Sequence, residues 1–471
     1  MTSFHSLAKS RPRLTPEFGG WLSLICCAPF LINIPVTNDS AWQLWLGRQM
    51  LHGVNLYTDL IEVNPPLWFW ISVPLAWVAE ALALPSRVVL IGFLLLAITL
   101  SYGFCVALIR DWPARQRFAF TIGFLLVTIP ISLRIFTQRE HFVLASTIPY
   151  ILLCSARDER RMVAPGLALA IGTLAAFGFA IKPFFAVVPI ALELWLWRRA
   201  PVVRPETACI GMLAVLYVIA VLLFERDFVA SVPMIASAYE HFTGGRYQGF
   251  VTAFLLFALA IYPLAHITSR SAAFLVAGLA FLLAFAMQGK GWSYQALPAI
   301  GMLILALSVS QWGRSAVRDA FATSVFVTTL WLNAQLYPTA RSYRFPANSA
   351  VATLTVGTLP VWPQVEERGY LWPLHTFSLW QLAAIEKRLL PAEPLQRRLA
   401  RDLRCHPPTY ILVDQSPAVQ DFLQRSGDLT EILSHFTSIS SRDGLTLYKR
   451  SAPLRARPSA CREIYPSRLT N

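Results

Sequence analysis

Asn38-Asp39-Ser40-Ala41-Trp42, then Gly53-Val54-Asn55-Leu56-Tyr57-Thr58-Asp59, then Glu62-Val63-Asn64-Pro65-Pro66-Leu67 mark out the polar stretch 37–66 that follows the first long apolar run. Asp39 falls where a helix long enough to cross a bilayer runs out. The roughly thirty residues after it are amphipathic and rich in Trp, and a double proline closes them and launches the next apolar run. A carboxylate at membrane depth is costly, so one placed at a helix exit is by default a functional-site hypothesis. The same stretch separates membrane from water, and the rest of the chain is read outward from it.

The composition agrees with that boundary. Of 471 residues, 55% are hydrophobic and only 14% charged, and the mean hydropathy is +0.51, far above an ordinary soluble protein. The chain therefore reads as a polytopic membrane protein. Its formal charge of +14 comes from Lys and Arg in loops and in the C-terminal tail. That fits a cytoplasmic excess of basic residues and contact with anionic membrane lipids, and excludes nucleic acid as the natural partner. Cys26, Cys27, Cys105, Cys154 and Cys209 lie in or beside apolar segments as small hydrophobes. Cys405 and Cys461 lie in the polar tail and could pair in an oxidising compartment. The basic N-terminus before Gly19 reads as the lead-in to an uncleaved first helix.

Long apolar spans cover 19–36, 86–109, 207–224, 249–267, 271–287, 295–310 and 320–336, and shorter ones 67–82, 118–133, 142–155, 164–181 and 183–197. Arg110 with Arg115 and Arg117, the run 157–161, the run 198–204, and Arg314 with Arg318 read as cytoplasmic. The N-terminus (1–18) is then inside, and loops 37–66, 134–141, 225–248 and 288–294 face outward. Parity demands that one of 67–82 and 86–109 not cross. A partly interfacial or re-entrant 67–82 gives eleven full crossings and an external C-terminus; twelve is the count if it crosses. After the membrane part (19–336), residues 337–450 read as a small soluble α/β domain of roughly 110 residues, with a helix near 378–404, a strand at 410–414 and a closing run at 445–448. Residues 451–471 read as a basic disordered tail.

The first-loop pattern resembles the GT-C-fold glycosyltransferases: an acid early in the first external loop, Gly53-x-x-Leu56-Tyr57-x-Asp59, and Asn64-Pro65-Pro66-Leu67. Within that fold it is most similar to the bacterial branch of protein O-mannosyltransferases and lipid A aminoarabinose transferases. The family's helix-exit acid maps onto Asp39, although its usual Asp-Glu pair is Asp39-Ser40 here, and its second external acid maps onto Glu140. Gln138-Arg139-Glu140-His141 and Gly289-Lys290-Gly291-Trp292-x-Tyr294 look like outward loop motifs of bacterial members. The resemblance implies an all-α, GT-C-like membrane domain and transfer of a sugar from a polyprenyl-phosphate carrier. It places the enzyme in the bacterial inner membrane with its site on the outer face. The acceptor would be an envelope glycan, a lipid or a protein.

That chemistry needs a base near the acceptor hydroxyl and fixed cations near the leaving phosphate. Asp39 is the expected base and Glu140 its catalytic companion. Arg139, Lys182 and Lys290 are the expected phosphate ligands, with His141, Tyr294, Asn64, Asp59 and Glu62 as further substrate-binding residues. Each has a plainer reading beside it. Asp39 could cap a helix, Glu140 could pair locally with Arg139 and His141, Lys182 and Lys290 could snorkel to the interface, and His141 could be structural. No cofactor is demanded. Asp59 and Glu62 could hold a divalent cation with Asp39, but one loop does not make a metal site. A transporter or flippase for a lipid-linked saccharide would use the same groups without bond chemistry. Against it, the charges gather at one face, with no internal repeat or midplane cluster.

Overall fold

The computed structural model describes residues 15–241, 267–310, 322–323, 343–356 and 361–454. The expected span 249–267 but for its last residue, nearly all of 320–336, Arg314, Arg318, the tail beyond 454 and Cys461 lie outside the described residues.

The membrane body is helical. It contains α1 (Pro16–Leu31), α2 (Asn38–Leu51), α3 (Leu67–Ala81), α4 (Ser86–Ile109), α5 (Ala114–Thr128), α6 (Arg139–Asp158), α7 (Pro165–Ala180), α8 (Val187–Trp197), α9 (Pro205–Phe224), α10 (Arg226–His241), α11 (Ser269–Gln288) and α12 (Leu297–Val309). Among the described residues α4, α9 and α11 have the length and apolarity to cross a bilayer, and α3, α7, the 183–197 segment and the 293–309 segment are shorter apolar helices. Such short helices leave backbone unpaired at their ends, which is tolerated only where protein or a cavity satisfies it.

The charged groups sort the helix ends into two sets. At one end, Arg117 pairs with Glu17, Arg157 with Glu206, Arg161 with Asp111, Arg198 and Arg199 with Asp158, and Arg270 with Glu159. This arginine end gathers the described clusters expected to share the cytoplasmic side. At the other, Thr37, Thr137, Gln138, Glu140, Lys182 and Gln288 meet directly.

The parity problem is resolved by α3. Trp70 near its start donates to Glu225 just past α9 (2.7 Å). Glu80 near its end pairs with His52 (3.0 Å) beyond α2, and Ser86, the first residue of α4, accepts from Arg48 of α2 (2.7 Å). Both ends of α3 therefore stay at the Asp39 end. At fifteen residues it is about 22 Å long, short of the ~30 Å apolar core. It lies against α2 so closely that a Cβ on Gly47 would sit 2.6–2.7 Å from Ser72, including its backbone.

The second body is an α/β domain. Strands β1 (Val351–Leu354), β2 (Tyr410–Asp414), β3 (Phe436–Arg442) and β4 (Leu445–Arg450) form one sheet in the order β1-β2-β4-β3. The β1–β2 pair is parallel, with Val351 opposite Tyr410, and the other pairs are antiparallel. The β3–β4 hairpin turns on Asp443 and Gly444, both at positive φ (53° and 74°). Five helices surround the sheet: α13 (Trp362–Arg368), α14 (Leu382–Glu386), α15 (Glu393–Cys405), α16 (Pro417–Gln424) and α17 (Gly427–Ser434). The single helix expected over 378–404 is two, because Arg388 takes a left-handed φ of 58° and Pro391 follows. Cys405 is disulfide-bonded.

Helix α2 joins the two bodies. Leu44 packs into the membrane core, whereas Trp42, Trp45 and Leu46 belong to the core of the α/β domain. Trp42 and Trp45 stack 5.0 Å apart, and Trp362 of α13 meets both edge-on at 4.8 and 5.7 Å. Arg48 adds an ion pair to Glu366 (2.6 Å). The α/β domain thus sits at the Asp39 end.

Candidate active site

The site begins at the first turn of α2. Thr37 caps that helix, its hydroxyl accepting from the Ser40 amide (3.3 Å), so Asp39 is not the cap; it occupies the first turn, where the helix dipole favours an anion. The 137–138 segment is stitched to the same turn. Ser40 Oγ donates to the Thr137 carbonyl (2.7 Å), Gln138 Nε2 donates to Thr37 Oγ1 (2.9 Å), and the Thr37 amide donates to Thr137 Oγ1 (3.3 Å). These bonds hold half-buried Asp39 beside Gln138, which hydrogen-bonds to it, and within electrostatic range of Arg139, Glu140 and Glu62. Burial pushes the Asp39 carboxyl above the usual carboxylate range; Arg139 opposes the shift and Glu140 adds to it.

Arg139, Glu140 and His141, expected in a loop, are instead the first turn of α6, because Gln138 is extended (φ −73°, ψ 150°) and the helix starts directly after it. Glu140 is fully buried and pairs with Lys182 Nζ at 2.5 Å; the same ammonium donates to Gln288 Oε1 (3.0 Å). Three segments far apart in sequence, the starts of α6 and of the Pro183 turn and the end of α11, are drawn together by one buried cation. The Nε and Nη1 of Arg139 and the Oε2 of Glu140 are buried without a hydrogen-bond partner. Unmatched donors of a buried guanidinium are costly unless something fills them, and an anion held on them would sit close to Asp39.

Tyr294 is buried within electrostatic range of Arg139, and its ring stacks with Trp292 at 5.8 Å. Lys290 precedes them in a tight turn between Gly289 and Gly291, both at positive φ (64° and 72°). Burial lowers its ammonium pKa to about 8.

The other expected residues are engaged differently. His141 sits with Nδ1 2.5 Å from the Phe136 carbonyl and Nε2 2.8 Å from the Thr128 carbonyl, so the N–H of its neutral ring serves one of the two carbonyls of the broken backbone after α5. Glu62 accepts from Trp42 Nε1 (2.9 Å), the Val63 and Asn64 amides (2.7 and 2.9 Å) and Asn64 Nδ2 (2.7 Å). Glu62 and Asn64 therefore brace the turn before the double proline, and Tyr57 donates its hydroxyl to the Asn64 carbonyl. Asp59 accepts from the Asn55 amide (3.1 Å). Among the described residues no group of three His, Cys, Asp or Glu side chains converges here.

Sequence reasoning passed over Gln288 as a ligand of Lys182 and the Thr37–Thr137 clasp. The signal for Gln288 was an amide closing an apolar twenty-residue helix.

With this geometry established, comparison with solved structures places the chain. The fold matches ArnT from Cupriavidus metallidurans bound to undecaprenyl phosphate, at a TM-score of 0.52 and 12% identity over 93% of this chain and 99% of that one. The apo form of the same protein matches at 0.51 and 11% identity, over 91% and 98%. The chain has their fold. It is GT-C-like, as the first-loop resemblance implied: an all-α polytopic body with a small α/β domain. No protein-family model and no curated protein sequence matches the chain.

Proposed function

We propose that this protein is an integral-membrane glycosyltransferase that moves a sugar from a polyprenyl-phosphate donor to an acceptor hydroxyl. The observation that carries the reading is the nearness of Asp39 to Arg139, a carboxylate within electrostatic range of a buried guanidinium whose Nε and Nη1 lack partners among the described residues. The ArnT structure of the same fold is bound to undecaprenyl phosphate, which supports a carrier of that class here.

In this reading the acceptor oxygen attacks the anomeric carbon from the face opposite the phosphate. The new C–O bond forms as the bond to phosphate breaks, and the configuration inverts. Asp39 takes the hydroxyl proton, and its raised pKa suits it to hold that proton once the bond has formed. Arg139 neutralises the charge growing on the leaving phosphate. The products are the glycosylated acceptor and polyprenyl phosphate. Lys182, clamped between Glu140 and Gln288, fixes the start of α6 and hence Arg139. Tyr294, within electrostatic range of Arg139, is assigned to the phosphate side, with Lys290 four residues before it. Cys405 supports an oxidising compartment for the α/β domain. In this reading the site lies on the outer face of a bacterial inner membrane.

The test is mass spectrometry of lipid extracts and envelope glycans from cells with the native protein, a deletion and Asp39→Asn. A polyprenyl-phosphate sugar should accumulate, and one envelope component should lose that sugar, in both altered strains at normal protein level. A defect in the deletion with none in Asp39→Asn sinks the assignment of Asp39 and moves a carrier flippase ahead.

A further inference from the structure

A cavity of about 310 Å³, lined by neither Asp39 nor Arg139, lies where the 57–62 loop, α10 and the α/β domain meet. Its wall is mostly apolar, with Tyr57, Trp380 and Pro394 among the lining residues, and its polar side chains include Glu62, Gln381, Ser231 and Arg398. The loop on its near side is pinned to the domain, because the Ile61 amide donates to the His375 carbonyl (2.8 Å). Arg398, on α15, donates Nη2 to the Thr58 carbonyl (3.0 Å). Among the described residues no carboxylate pairs with it, although Asp402 and Asp59 lie within electrostatic range. Partial burial lowers its pKa. A half-buried guanidinium with unused donors, lining a cavity with aromatic and proline walls, is positioned to hold an anion.

We infer that this cavity binds a sugar carrying one carboxylate, a uronic-acid-type unit of the acceptor. The apolar wall suits the C–H faces of a pyranose, and the remaining N–H groups of Arg398 suit the two oxygens of a carboxylate. Arg398 and Glu62 already offset each other in this cavity, so a singly charged carboxylate on the guanidinium meets less repulsion from Glu62 than a doubly charged phosphate would. The site continues through Glu62 and Trp42 to the helix that carries Asp39, so a glycan anchored here reaches toward the base. That last step rests on the glycosyltransferase reading; the binding itself does not.

The experiment measures binding to the full chain in nanodiscs by saturation-transfer NMR and calorimetry. The probes are glucuronate, the neutral methyl glucoside, glucose 6-phosphate and inorganic phosphate. Glucuronate should bind roughly ten-fold or more tighter than the neutral sugar and tighter than either phosphate. Arg398→Gln should abolish the preference and Arg398→Lys should keep part of it. Ser231→Asp, which adds a negative charge to the cavity wall without touching Arg398, should weaken glucuronate and spare the neutral sugar. Asp39→Asn should bind glucuronate like the native chain, so a failure of the catalytic reading leaves this result standing. Equal binding of glucuronate and methyl glucoside overturns the proposal, as does a preference that survives both Arg398→Gln and Ser231→Asp. Tighter binding of either phosphate overturns the carboxylate assignment.

Discussion

Removing the ammonium of Lys182 should be among the most damaging single changes in the membrane body. Its partner Glu140 has 0% side-chain exposure and Lys182 only 8%, so Lys182→Met leaves a carboxylate in protein with no cation at hydrogen-bond distance. Breaking a buried pair from one side costs about 3–5 kcal/mol, whereas replacing both partners by neutral groups of similar volume is often close to neutral. Lys182→Met should therefore lose about 3–5 kcal/mol, and Lys182→Met with Glu140→Gln should recover most of it, a coupling of about 2 kcal/mol or more. Gln288 loses its donor in both variants, so that smaller term cancels in the comparison. The assay is unfolding of the purified protein in detergent, followed by tryptophan fluorescence, with turnover measured in parallel. Turnover should stay low in the double variant, because Arg139 is no longer positioned by a charged clamp. A Lys182→Met variant within about 1 kcal/mol of native would mean that water reaches the pair and screens it, and the argument for a sealed clamp would fail.

Three further outcomes follow from the geometry. The acid limb of turnover should lie above the usual carboxylate pKa of about 3.9, because the base must lose a proton that burial makes it keep. Asp39→Asn should lower kcat by about 10²–10⁴ and abolish that limb; a limb unchanged in the residual activity refutes the assignment. Donor binding should weaken as pH rises through about 8, where Lys290 loses its charge, and Lys290→Gln should bind donor weakly with no such alkaline limb; a limb that persists in the variant belongs to another group. Gly47→Ala should cost about 1–3 kcal/mol by overpacking and lower activity, since the added Cβ meets the Ser72 backbone and pushes on the helix bearing Asp39; unchanged melting and turnover would mean that α2 and α3 yield freely.

Much of this was legible in one dimension. Polytopic character follows from composition, because a chain this apolar has few other ways to satisfy its backbone. Asp39 stood out because a carboxylate at a helix exit is costly wherever it lies. The grouping of basic loops at one end followed from charge alone, and it predicted which polar tips share the opposite end.

The tertiary structure decided what those tips do. Whether Glu140 meets Arg139 beside it or Lys182 forty-two positions on depends on how α6 and α7 pack, and helical periodicity carries no record of that. His141 reads as a site residue until the end of α5 presents two carbonyls to its ring. Likewise Glu62 looks like a second acid until Trp42 and the Asn64 turn occupy it. That 67–82 stays on one side could be framed from the sequence but not settled there, because a fifteen-residue apolar helix serves equally as a short span or a helix lying against the body. Contacts to Glu225 and His52 settled it. Apolar periodicity and charge are local properties of the chain, and the sequence determined what rests on them: membrane, loops and the acid at the helix exit. Pairing is a property of distance in three dimensions, and only the fold supplies that.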